Sequence, residues 1–75
     1  ILRGDAIFYV AIIPDRMNGI KIKDIRLPSD SLIVAIYRGE ELIFPREDLE
    51  IKTGDEIVIF TRRQTIDELK KIFKN

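Results

Sequence analysis

Apolar residues along the chain gather into four short runs and one stripe of helical period. Residues 6–13 (AIFYVAII) form the first run, rich in β-branched and aromatic side chains, and predict a strand that is apolar on both faces. Residues 14–19 (PDRMNG) carry turn residues at both ends and predict a loop. Residues 20–27 (IKIKDIRL) are ambiguous. Ile20 and Ile22 alternate as in a strand, whereas Ile22 and Ile25 have helical spacing. One or two helical turns are expected, ended by Pro28, because a proline pushes the residue before it out of the α region.

Residues 32–37 (LIVAIY) and 42–45 (LIFP) predict a hairpin turning at Arg38-Gly39-Glu40-Glu41. Gly39 stands at the first central position of a type II′ turn, where φ must be positive and glycine meets no steric penalty. That register sets Arg38 against Glu41, Tyr37 against Leu42, Ile36 against Ile43, Ala35 against Phe44 and Val34 against Pro45. The Arg38–Glu41 pair closes the turn. Strict alternation puts Leu32, Val34, Ile36, Ile43 and Pro45 on one face, and Ile33, Ala35, Tyr37, Leu42 and Phe44 on the other. Both faces are apolar, so the hairpin needs a curled barrel, a covering helix or a second subunit. Pro45 lacks an N–H and ends the strand or marks an edge.

Residues 46–52 are polar with Leu49 and Ile51 as anchors, and Thr53-Gly54-Asp55 predicts a sharp turn. Residues 56–61 (EIVIFT) predict the last strand. Residues 65–75 predict a helix. Thr65 and Glu68 have capping-box spacing, and Ile66, Leu69, Ile72 and Phe73 form one apolar stripe. Asp67 and Glu68 early, with Lys70, Lys71 and Lys74 late, complement the helix dipole. The expected fold class is α+β: a small antiparallel sheet or pseudo-barrel, ordered strand, short helix, three strands, and a capping C-terminal helix.

Composition narrows this picture. Seventy-five residues leave room for one domain and no second core. Residues 1–5 read as the remnant of a linker, and a chain opening on Ile1 reads as a piece of a longer protein. A core of this size supplies only ~3–5 kcal/mol, and many such domains add disulfides, metals or a second copy. The chain has no Cys and no His, which excludes disulfides and the usual zinc sites and leaves association. Thirteen basic residues balance thirteen acidic ones, so no overall field draws the chain to nucleic acid or to an anionic membrane. No apolar run approaches the ~18 residues of a membrane-spanning helix.

Catalytic candidates are few. Without His or Cys, a Ser or Thr nucleophile would need Lys or a carboxylate as its base. Ser29, Asp30 and Ser31 read as a turn and a strand start instead. The adjacent carboxylates Glu40/Glu41 and Glu47/Asp48 point apart in an extended chain, so they lack the convergence of an acid–base pair. No metal-loop spacing and no glycine-rich phosphate loop occurs. The chain reads as a non-enzyme with no metal and no cofactor. Arg16, Lys21, Lys23 and Arg26 bring positive charge in before the hairpin, as a solvated face or as an anion contact. Asp24 either orients Arg26 or forms an ordinary salt bridge with it. A small β-barrel binding single-stranded nucleic acid through these cations and surface aromatics is one alternative, against which the neutral charge argues, and a ligand-free assembly domain is another.

The ordered set GIKIKDIRLP (19–28), LIVAIYRG (32–39), ELIFP (41–45) and TGDEIVIF (53–60) resembles the TrkA C-terminal family, also called the RCK C-terminal domain. The likeness runs from about Tyr9 to Phe73. It implies a dimerising, ligand-sensing regulatory domain, cytoplasmic, acting with an attached or associated membrane transport protein of a potassium or other cation system. A small anionic or nucleotide effector is implied, without direct membrane insertion. Some members bind cyclic di-AMP at the dimer interface, through residues before and along the first hairpin strand. The matching positions are Asp24, Arg26, Leu32, Ile33 and Pro45. Arg26 keeps the phosphate-contacting type with Asp24 as its companion, while Leu32 stands where those members carry an amide.

Overall fold

A computed structural model describes residues 3–75, and in it all four apolar runs enter one antiparallel sheet. The strands are β1 (Ala6–Ile12), β2 (Leu32–Arg38), β3 (Glu41–Ile43) and β4 (Glu56–Arg62), and the helix α1 (Ile66–Phe73) ends the chain. The sheet order is β1-β4-β2-β3, so the last strand in sequence lies between the first two. Three single 3₁₀ turns complete the pattern, at Asp15–Met17, Ile22–Asp24 and Arg63–Thr65. The expected α+β order therefore holds. Of the expected linker, Ile1 and Leu2 lie outside the described residues, and Asp5 is part of the domain: its carbonyl accepts the Arg63 N–H at 2.9 Å.

The hairpin pairs in the expected register, with Ile36 opposite Ile43, Tyr37 opposite Leu42 and Arg38 opposite Glu41. Gly39 has φ 61° and Glu40 does not share a positive φ, which is the type II′ form. The expected pairs Ala35–Phe44 and Val34–Pro45 do not form, because β3 stops at Ile43. The face assignment also changes. Against β4, Ile33 pairs with Ile59 but Ala35 pairs with Val58, so Val34 is an extra, bulged residue. A bulge resets the two-residue alternation. Leu32, Ala35 and Tyr37 consequently share one face, and Ile33 and Ile36 the other.

On the inner face Ile36, Ile57 and Ile59 are fully buried and meet Ala11, Leu69 and Phe73 from β1 and α1. Ile13, Met17 and Ile51 close the core from the loops. Residues 20–27 form only one 3₁₀ turn. On either side of Lys21 the backbone instead pairs with the segment after the hairpin: Ile22 N–H to Leu49 O at 2.9 Å, and Ile51 N–H to Ile20 O at 2.9 Å. That pairing accounts for the strand-like alternation of Ile20 and Ile22.

The capping box does not form. Thr65 already has helical dihedrals (φ −91°, ψ −11°), since a 3₁₀ turn runs straight into α1, and its side chain makes no capping bond. Its hydroxyl donates to Asp30 Oδ2 at 3.0 Å.

Candidate functional site

Among the described residues, the outer face of the sheet carries a group of exposed apolar side chains that no helix or loop covers. Register carries Phe8–Phe60–Leu32 across three strands as one row and Val10–Val58–Ala35 as the next. Ile12, Glu56, Tyr37 and Leu42 form a third row across all four strands. Phe8 is 54% exposed, Leu32 62% and Leu42 50%, with the Phe8 and Phe60 rings 5.4 Å apart and tilted. These are β-branched and aromatic residues suited to a pleated surface, yet α1 covers only the opposite side. Scattered exposed apolar residues are ordinary; a contiguous apolar sheet face marks an interaction surface.

Beside the start of β2 lies an apolar groove of about 370 Å³. Ile22, Ile25, Leu27, Pro28, Leu32, Ile33 and Pro45 line it together with Ser29 and Ser31. Three of the five expected site residues, Leu32, Ile33 and Pro45, thus meet in one place. Asp24 and Arg26 line a neighbouring cleft with Lys23, and the two clefts share Ile25 and Leu27. Asp24 and Arg26 are exposed, and among the described residues they form no ion pair with one another. The salt-bridge alternative for Asp24 and Arg26 is therefore not formed, and the nearby bridge is Lys23 to Asp48 at 3.3 Å. Chemically, the paired clefts offer an apolar slot for a planar or aliphatic group beside cationic donors for an anion.

The hairpin that walls this groove is held by a pair the sequence pattern did not expose. Arg38 does not close the turn with Glu41; its Nε and Nη2 each donate to Asp55 at 2.9 Å, and Nη2 also reaches Glu50 O at 3.2 Å. Asp55 is buried and also accepts the Lys52 backbone N–H at 2.9 Å. Burial pushes the Asp55 carboxyl up, but the hydrogen bonds from Arg38 and Lys52 outweigh it and hold the acid below the usual carboxylate value. The same hydrogen bond to Asp55 raises Arg38. Seventeen residues separate the partners, so no local pattern signals the pairing.

Among the described residues no helix is long and apolar enough to cross a membrane, and no cluster of three or more acidic, His or Cys side chains converges as for a metal ion.

Comparison with known proteins gives one family and a consistent set of relatives. The profile of the TrkA-C domain matches residues 7–74. A Trk system potassium uptake protein TrkA homolog of Archaeoglobus fulgidus is 34% identical over 73 residues, which cover 97% of this chain and 17% of that protein. TrkA homolog 1 of Methanosarcina mazei is 35% identical over 72 residues, 96% of this chain and 16% of its own length. The chain therefore spans about a sixth of these curated relatives. Among solved structures, the KtrA RCK C domain in complex with cyclic di-AMP is similar at a TM-score of 0.76 and 25% identity, over 88% of this chain and 81% of that one. An RCK domain solved with cda has the same TM-score at 21% identity, over 95% of this chain and all of that one, a likeness of fold.

Proposed function

The chain belongs to the TrkA-C domain family, and from that premise we propose that it is a regulatory module of a potassium transport system, which senses a small ligand and works as a homodimer. The observation that carries this reading is the outer sheet face. Three strands of seven residues and one of three, at ~4.8 Å spacing, present roughly 400 Å² of sheet plane, and more in accessible area once side-chain relief is counted. Stable interfaces use about 600–1,000 Å² per partner, so a second copy laid on this face approaches that size. A small domain with neither disulfide nor metal gains the burial it lacks in the same step.

Ligand sensing is supported by the groove of Leu32, Ile33 and Pro45 with Arg26 and Lys23 on the adjoining rim. The KtrA domain, alike in fold, was solved with cyclic di-AMP, and an effector of that chemistry has flat base faces to stack on the apolar lining and phosphates for the cations. In this reading the module is part of a longer cytoplasmic protein and has a regulatory rather than a catalytic role. Its relatives, of which it covers about a sixth, carry the name of potassium uptake proteins. A ligand acts by favouring one of two arrangements of the pair through its differential affinity for them.

Sedimentation equilibrium tests the association: a dimer is expected at micromolar concentration, and a monomer at high micromolar concentration overturns it. Thermal shift with cyclic di-AMP tests the groove. A ligand bound only by the folded state raises Tm. Arg26→Gln is expected to reduce that rise, and an equal rise in both chains removes Arg26 from the site.

A further inference from the structure

The groove and the start of β1 are joined by a chain of polar contacts that runs from the Pro28–Ser31 turn to Asp5. Pro28, Ser29 and Ser31 line the groove, and their turn is closed by the Ser31 N–H on Pro28 O at 3.1 Å. Asp30, within that turn, holds the opposite side. Its Oδ2 accepts the Thr65 hydroxyl at 3.0 Å and lies 3.5 Å from Arg62 Nε. Its carbonyl accepts the hydroxyl of buried Thr61 at 3.3 Å, which in turn shares a 2.9 Å hydrogen bond with Ser31 Oγ. Arg62 then reaches the far side: its Nη1 donates to Asp5 Oδ2 at 2.9 Å. Asp5 is the residue before β1, follows Gly4 at φ 60°, and takes the Arg63 N–H on its own carbonyl at 2.9 Å.

One guanidinium is thus divided between a carboxylate in the turn that borders the groove and a carboxylate where the chain enters the sheet. Arg62 offers a planar fork of donors, so it holds both at once and shifts toward either when the other is withdrawn. Both carboxylates and Arg62 are substantially exposed, with side-chain exposure of 36–53%, so the links are weak and exchangeable rather than a fixed core contact. The hydrogen bond from Arg62 is the chief cause of the lowered Asp5 pKa, in keeping with a real charge contact. Ser29 and Ser31, which line the groove, flank Asp30 in the same hydrogen-bonded turn, so a shift of that turn carries Asp30 with it.

We propose that Arg62, shared between Asp30 and Asp5, is a positioning residue that couples occupancy of the groove to the setting of the chain segment leading into β1. This rests on the ligand-sensing reading for its use, though the coupling itself is measurable without ligand. Spatial intermediacy alone does not establish coupling, and a double-mutant cycle does.

The test is amide hydrogen exchange of Arg63, whose N–H is held by Asp5 O, in the unaltered chain, Asp30→Asn, Arg62→Gln and the double variant. The asparagine amide in Asp30→Asn keeps an acceptor oxygen for Thr65, so the fold is retained. With Arg62 present, Asp30→Asn is expected to change Arg63 exchange by about two- to five-fold, and in the Arg62→Gln background to leave it unchanged. No change in the first background, or the same change in both, overturns the coupling. A cyclic di-AMP titration read on the Ser31 and Ile33 amides separates the two ideas. Absence of shifts there counts against the ligand reading, while the cycle alone decides the coupling.

Discussion

The two faces of this sheet are built from the same residue types and have opposite fates. Inside, Ile36, Ile57 and Ile59 have no solvent exposure; outside, Phe8, Val10, Ile12 and Leu32 are each about half exposed or more. The difference is not in hydrophobicity. It lies in what covers each face, since α1 and the loops carrying Ile13, Met17 and Ile51 all close on one side. Apolar patterning therefore reports that a surface is meant to be buried, not that the chain itself buries it.

The sharpest contrast comes from truncating one residue on each face. Ile59→Ala empties a closed core site and is expected to cost about 2–5 kcal/mol, measured by urea unfolding. Phe8→Ala, opposite Phe60 on the outer face, is expected to cost under about 1 kcal/mol at concentrations where the chain is monomeric. It should weaken the proposed dimer at least about tenfold by sedimentation, as loss of a central aromatic anchor does. Equal losses of fold stability at the two sites would erase the distinction between the faces.

Next in size is the Arg38–Asp55 pair. Arg38→Ala leaves a buried carboxylate with only the Lys52 N–H, at an expected cost of about 2–3 kcal/mol, discounted because Arg38 is itself 31% exposed. The same pair sets an acid dependence. Asp55 titrates lower in the folded chain than in the unfolded one, so its stabilisation is complete above the unfolded value and is lost as pH falls through the folded one. Unfolding stability should therefore decline below about pH 4, and Asp55→Asn, already less stable at neutral pH, should lose that part of the decline. A decline of the same steepness in both chains would point to other carboxylates. The smallest effect is expected at Arg26, exposed and outside the core: Arg26→Gln should move stability by no more than ~0.5 kcal/mol.

Much of the architecture was legible because its signals are local. Gly39 marked the hairpin turn, the run 56–61 marked β4, and the stripe Ile66, Leu69, Ile72 and Phe73 marked α1. The failures with the largest consequences involve distant partners. Thr65 has capping-box spacing with Glu68, yet Asp30, thirty-five residues away, takes its hydroxyl. Arg38 faces Glu41 across the turn, yet Asp55 offers a buried bidentate acceptor. Val34 fits perfect alternation, and only the register against β4 makes it a bulge. At the candidate site the family resemblance brought Leu32, Ile33 and Pro45 together, while the polar connection through Asp30 and Arg62 left no mark in the pattern.

The sequence by itself determined the elements, their order, the hairpin register and the surplus of apolar surface, because periodicity and turn chemistry act over a few residues. It also excluded, by omitting Cys and His, disulfides and the usual zinc sites as stabilisers. Tertiary structure alone decided which apolar face became the core and which stayed open, because inserting β4 between β1 and β2 aligns residues far apart in the chain. It also chose the acceptors of Arg38, Arg62 and Thr65. A side chain's partner is settled by where folding brings the nearest unsatisfied donor or acceptor, and sequence distance does not measure that.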